Sequence, residues 1–168
     1  MRSLYVLRHA KSDWSDGSLK DFDRPLNNRG RKAAKAIGKE LRKRKIKPDL
    51  VLASAALRAS QTLRRVEEFS GTSFDVREDK RIYMAEPQLL IDLIRSAPDD
   101  AKRLMIIGHN PGLQQLVLLL ARSGELRDEA AEKFPTAALA EINFQAESWR
   151  DVAPGDGSLE ILLRPRDL

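Results

Sequence analysis

The 168 residues include no cysteine, which excludes disulfide frameworks, thiolate metal sites and cysteine nucleophiles at the outset. Aromatic residues are scarce as well. The five Phe, two Trp and two Tyr are not interleaved with basic residues as a base-stacking platform would require. Long apolar runs are also missing. The longest beyond the N-terminal segment, Leu116 to Ala121, falls far short of a membrane span. The opening segment Met1 to Arg8 is too short for a secretory signal and lacks a small-residue cleavage site. These absences point to a cytoplasmic protein with no membrane partner.

What is present suits one domain over residues 1–168, with 42% hydrophobic residues to build a core and 33% charged residues to solvate it. The 30 Lys and Arg exceed the 25 Asp and Glu by five, a balance that favours anionic partners without choosing among phosphorylated protein, nucleotide or nucleic acid. Most basic side chains are simply surface residues, so no specific nucleic-acid partner is expected.

Along the chain, short apolar runs alternate with helical patterns. Leu4–Leu7 reads as a strand, followed by a polar loop to Asn28 containing Asp13, Asp16, Asp21 and Asp23. A helix begins at Asn27 or Asn28 with Ala33, Ala34, Ile37 and Leu41 as its buried stripe, and Lys47-Pro48-Asp49 ends it. Leu50–Ala53 is a second strand, with Ser54 as the cap of a helix that Gly71 terminates. Ser73–Val76 is a weaker strand, and Pro87 opens a helix ending before Pro98. Leu104–Ile107 is a buried strand leading into a helix from Gly112, where Leu118 and Leu119 suggest burial on more than one side. Ala140–Phe144 and Leu159–Leu163 complete the strands. The alternation predicts an α/β fold around a mostly parallel sheet.

In such folds, sites form at the carboxyl ends of strands. Three of these ends carry unusual polar residues: Arg8-His9, Ser54 with Arg58 one helical turn on, and Gly108-His109. A lone histidine is more often structural than catalytic, but both histidines of this chain fall at strand ends. Two guanidinium forks can bind phosphate oxygens bidentately, and the helix N-termini after Ser54 and Gly112 offer backbone N–H donors. A neutral His9 can attack phosphorus to form a covalent intermediate. His109 can stabilise charge on the transferring group. No metal or other cofactor is required.

These residues carry a family resemblance. Leu7-Arg8-His9-Ala10-Lys11-Ser12 resembles the Arg-His-Gly/Ala motif of the histidine phosphatase superfamily. The stretch Ser54 to Thr62 is similar to its Ser-Pro-x-x-Arg-Ala-x-x-Thr motif, with Ala55 replacing the proline. Gly108-His109-Asn110-Pro111 resembles the third motif, and Asp23-Arg24-Pro25-Leu26 the segment that introduces the first helix. The resemblance implies a phosphoglycerate-mutase-like, three-layer α/β/α sandwich. It also implies His9 as nucleophile, with Arg8, Arg58 and His109 completing the phosphate pocket.

Within the superfamily, the Arg-His-Ala-Lys-Ser and Gly-His-Asn-Pro forms and the short chain resemble the SixA-type phosphohistidine phosphatases. Mutase-like relatives place a glutamate general acid where Tyr83 stands in Arg81-Ile82-Tyr83-Met84-Ala85-Glu86. Glu86 is the remaining candidate acid, and its alternative role is to complement the first turn of the helix at Pro87. An alkoxide must be protonated to leave, whereas a phosphoimidazole can depart as neutral imidazole. The resemblance therefore implies a phosphorylated protein bearing phosphohistidine as substrate. A small phosphate ester is the alternative substrate, and a non-catalytic phosphate-binding module the alternative of another class.

Overall fold

The computed structural model describes residues 1–168. Its strands are β1 (Arg2–Arg8), β2 (Leu50–Ala53), β3 (Val76–Glu78), β4 (Arg103–Gly108), β5 (Leu139–Phe144) and β6 (Ser158–Leu163). The helices are α1 (Asn28–Arg44), α2 (Leu57–Ser70), α3 (Pro87–Arg95), α4 (Gly112–Leu120) and α5 (Glu125–Glu132). The strands form one sheet in the order β3-β2-β4-β1-β5-β6. Parallel pairing joins β3, β2, β4 and β1, while β5 pairs antiparallel with both β1 and β6.

The continuous apolar character of β1 and β4 follows from burial on both faces. Along β1, Leu4 and Val6 enter one core while Tyr5 and Leu7 enter the other. β4 divides in the same way, with Leu104 and Ile106 on the first side and Met105 and Ile107 on the second. Helices α1 and α2 cover the second core through Ala34, Ile37, Leu41, Leu63 and Val66. Helices α3, α4 and α5 cover the first through residues such as Leu90, Leu116 and Ala130. The result is the expected three-layer, phosphoglycerate-mutase-like α/β/α sandwich. No helix is long and apolar enough to cross a membrane.

Several local expectations change. Ser54 does not cap α2. That helix starts at Leu57 behind Ala56, which makes no side-chain cap, and the Ser54 hydroxyl is directed to other partners. The third strand lies at Val76–Glu78 rather than 73–76, and its residues are exposed because it forms the sheet edge. Leu119 is 43% exposed, so α4 is buried along one stripe and not all round. Helix α1 ends at Lys45, in the left-handed region (φ 57°), before Lys47-Pro48 is reached. Helix α5 was not expected, since its sequence ELRDEAAE offers only a short apolar stripe and no side-chain cap at Gly124.

Close backbone contacts bring the loops onto the strand ends. Asn27 caps α1 by accepting a hydrogen bond from Gly30 N–H at 2.8 Å, while Asn27 N–H donates to the Lys11 carbonyl at 3.0 Å. A Cβ on Gly30 would stand 2.1 Å from that same Lys11 oxygen. A Cβ on Gly112 would stand 2.2 Å from the Ala85 oxygen, so α4 starts hard against the turn carrying Tyr83. Gly30→Ala should therefore push the segment after His9 outward and destabilise the protein by about 1–3 kcal/mol. A urea-unfolding midpoint equal to that of the wild type would contradict this close approach.

Candidate active site

The β1–β4 register pairs Arg8 with Gly108, so the next residues on the two strands, His9 and His109, emerge side by side. Their ring centroids are 5.1 Å apart. Pairing of Ala53 with Ile107 brings Ser54 to the same end, and its hydroxyl lies 2.7 Å from His109 Nε2. Arg58 extends from the first turn of α2 into this cluster. His9, Arg58 and His109 are 7%, 5% and 4% exposed, so three polar side chains share one largely dehydrated site.

The tautomer of His9 follows from its contacts. Nδ1 sits 2.7 Å from the Ala10 carbonyl, which can only accept, so Nδ1 carries the proton. Nε2 keeps its lone pair, and Arg58 Nε–H donates to it at 3.4 Å. Burial pushes the His9 pKa down to about 4, opposed by the Ala10 carbonyl and reinforced by Arg58 and Arg8. The His109 pKa is pushed down to about 3, by burial first and then by His9 and Arg58. Nδ1 of His109 is buried without a partner.

Arg58 is held by a network that sequence reasoning did not assign to the site. Its Nη1 donates to the Asp21 carbonyl at 2.6 Å and its Nη2 to Asp21 Oδ2 at 3.0 Å. The Tyr83 hydroxyl donates to the same carboxylate oxygen. That hydrogen bond, followed by Arg58, holds the Asp21 carboxyl below the usual carboxylate range, and it raises the Tyr83 hydroxyl in turn. Tyr83 also presents its ring edge-on to His109, with centroids 5.2 Å apart. Thr62 ties α2 to the segment that follows β1: its Oγ1 accepts from Ala10 N–H at 2.9 Å and donates to the Arg58 carbonyl at 2.6 Å.

Arg8 donates from Nη1 to the Phe134 carbonyl at 3.1 Å, while its Nε is buried without a partner. Burial and then the neighbouring Arg58 lower its pKa. Asn110 of the third motif donates to the same Phe134 carbonyl at 3.0 Å. The structure thus brings Arg8, His9, Arg58 and His109 together. Glu86 is not part of this cluster. It is exposed at the N-cap of α3 and makes no hydrogen bond or ion pair with these residues.

The other loop acids behave locally, as Asp13 accepts from Ser15 N–H and Asp16 from Ser18 N–H. Trp14 is 65% exposed and stacks under the Arg24 guanidinium at 3.9 Å. No local pattern distinguishes Asp21 from its neighbours, because its partners lie 37 and 62 residues away in sequence.

Buried arginine donors and two neutral imidazoles gather at the ends of β1, β2 and β4, a donor set of the kind that can hold a tetrahedral oxyanion. The profile of the histidine phosphatase superfamily (branch 1) matches residues 4–82. A Mycobacterium tuberculosis protein of uncharacterized function is 36% identical over 164 residues, 95% of this chain and 100% of that one. Among solved structures, a candidate phosphohistidine phosphatase SixA from Nakamurella multipartitia superimposes with a TM-score of 0.87 at 28% identity, covering 98% and 96% of the two chains. The Agrobacterium tumefaciens counterpart gives 0.81 at 29% identity, covering 98% of each. The chain belongs to the histidine phosphatase superfamily. Within it, the chain is of the SixA type, a phosphatase.

Three measurements test this geometry. In an NMR titration His9 should stay in its neutral Nδ1–H form from pH 8 to about 5 and protonate near 4; a midpoint near 6.5 would mean the ring is solvated. The unfolded chain takes up these protons at higher pH than the folded one, so stability should decline as pH falls from about 6.5 towards 4. Asp21→Asn removes a charged partner of Arg58 and should lower kcat/KM by roughly 10- to 100-fold, with Tyr83→Phe losing less. Unchanged kinetics in Asp21→Asn would show that Arg58 does not depend on this carboxylate.

Proposed function

We propose that the protein is a phosphohistidine phosphatase acting on phosphorylated protein through a phosphohistidine intermediate at His9, without a metal. The observation that carries this reading is the protonation pattern of the pocket. His9 offers an unprotonated Nε2, and the one carboxyl hydrogen-bonded within the cluster, Asp21, is held ionised by Tyr83 and Arg58.

A carboxylate in that state has no proton to give a departing alkoxide, and the Tyr83 hydroxyl is made a weaker acid still. A substrate phosphoimidazole avoids the requirement, because protonation of its own ring lets it leave neutral. The His9 Nε2 lone pair forms the new N–P bond as the substrate N–P bond breaks, and its electron pair remains on the leaving imidazole. Water then attacks phosphorus, its proton is released, and His9 recovers its lone pair as phosphate departs.

Arg58 Nε already faces the His9 nitrogen, and the unpartnered Arg8 Nε and His109 Nδ1 are donors that a phosphoryl group would satisfy. The Ser54 hydroxyl accepts from Ala56 N–H and has His109 Nε2 as its one acceptor, so donation to Nε2 puts the proton of this neutral ring on Nδ1. The low pKa suits the proposed nucleophile, because His9 keeps its Nε2 lone pair at neutral pH.

Hydrolysis of a small phosphate ester would need a general acid, and the exposed position of Glu86 at the start of α3 does not favour it for that role. His9→Ala should abolish phosphate release, by at least about a thousandfold. Wild-type enzyme quenched during turnover should retain acid-labile, base-stable phosphate on His9. Phosphohistidine peptide should be hydrolysed faster than a phosphoserine peptide of the same sequence. A preference for the ester would overturn the substrate assignment, and full activity of His9→Ala would overturn the mechanism.

A further inference from the structure

Beside the catalytic residues runs a groove of about 440 Å³ whose charge the proposed chemistry does not use. Four cations line it: Lys11, two residues beyond His9; Arg29 and Lys32 on the first turns of α1; and Arg166 in the turn Pro165–Asp167 near the end of the chain. No carboxylate lines the groove, and none of the four takes part in an ion pair. Some arginines elsewhere do have a carboxylate partner. Arg44 meets Glu40, Arg81 meets Asp79, and Arg164, two residues from Arg166, meets both Glu129 and Asp167. Cations gathered from three separate segments without a counter-charge repel one another, and an anionic ligand relieves that repulsion.

The groove leads to the catalytic residues. Lys11, Pro135 and Thr136 also line a second groove of about 420 Å³ that reaches Arg8, where Glu132 is the one carboxylate among the lining side chains. The remaining surface of the first groove is small and aliphatic, with Ala33, Ala36 and Pro165, and it contains no aromatic ring. Nucleic acid would find phosphate contacts there but nothing on which to stack a base. Separated cations above an aliphatic floor suit carboxylates spaced along an extended polypeptide.

We propose that this joined groove docks an acidic segment of the phosphorylated protein, with Asp and Glu side chains flanking the phosphohistidine meeting Lys11, Arg29, Lys32 and Arg166. The proposal rests on the phosphohistidine reading and adds the kind of protein the enzyme selects. Charge complementarity of this sort acts through encounter rate and partner choice.

The test compares wild type with the Lys32→Glu/Arg166→Glu variant at low ionic strength. The substrates are phosphohistidine peptides with acidic or neutral flanks, and free N-phosphoimidazole. In the variant, kcat/KM for the acid-flanked peptide should fall roughly tenfold, while the other two substrates change by less than about twofold. No change with the acid-flanked peptide, or an equal loss with both peptides, would overturn the docking site. If wild type hydrolyses neither phosphohistidine peptide, the substrate reading fails by itself. The groove is then judged by fluorescence anisotropy with the unphosphorylated acidic peptide. Binding to wild type that the variant loses supports the site. Absent binding, equal binding to the variant, or equally tight binding of single-stranded RNA of matched charge overturns it.

Discussion

Everything at the site depends on the parallel pairing of β1 with β4 in the register that sets Arg8 against Gly108. Backbone hydrogen bonds hold this register, and burial of both sheet faces keeps it from slipping. A shift of one residue would send Leu4 and Val6 into the opposite core from the one they fill. With the register set, two histidines 100 residues apart leave adjacent strands as neighbours. His9 N–H donates to the Gly108 carbonyl, extending the ladder up to the site. The chemistry is thus mounted on the most buried part of the fold rather than on a mobile loop.

The second constraint is dehydration. Burial is the largest cause of the low pKa at both histidines, and it also strengthens the arginine contacts that a phosphoryl group would meet. A pocket this rich in donors would repel its own cations without a compensating anion. Asp21 supplies that charge at the rim, where its partly exposed carboxylate pairs with Arg58 and takes the Tyr83 hydroxyl. One carboxylate both orients the guanidinium and, being ionised, is withdrawn from acid catalysis. Under the proposed function, structure and leaving-group preference are linked through that residue.

Much of this was legible in the residues themselves. The Asn27 cap, the Gly71 terminus and the Pro87 start are local features whose physics acts over a turn or two, and each falls where expected. The ordered Arg-His, Ser-x-x-x-Arg and Gly-His segments were equally readable, because each directly follows a strand. The failures share a cause. Ser54 has the chemistry of a helix cap, yet its hydroxyl serves His109, 55 residues away. Leu119 continues an apolar run but faces outward, since helix orientation is decided by which stripe meets the sheet. Helix α5 has too weak a stripe to announce itself and owes its place to contact with α4 and β6.

The sequence alone determined the α/β class and, with the family resemblance of its motifs, singled out the four candidate site residues, because hydrophobic period and strand-end position are encoded within short windows. Tertiary structure decided which other groups join them. It selected Asp21 from four similar loop acids, turned Tyr83 from an apparent gap in the motif into that carboxylate's partner, and left Glu86 outside. It also gathered Lys11, Arg29, Lys32 and Arg166 from distant segments along one groove. Those outcomes depend on contacts between residues tens of positions apart, and on the pairing and burial that bring them together, which no local pattern records.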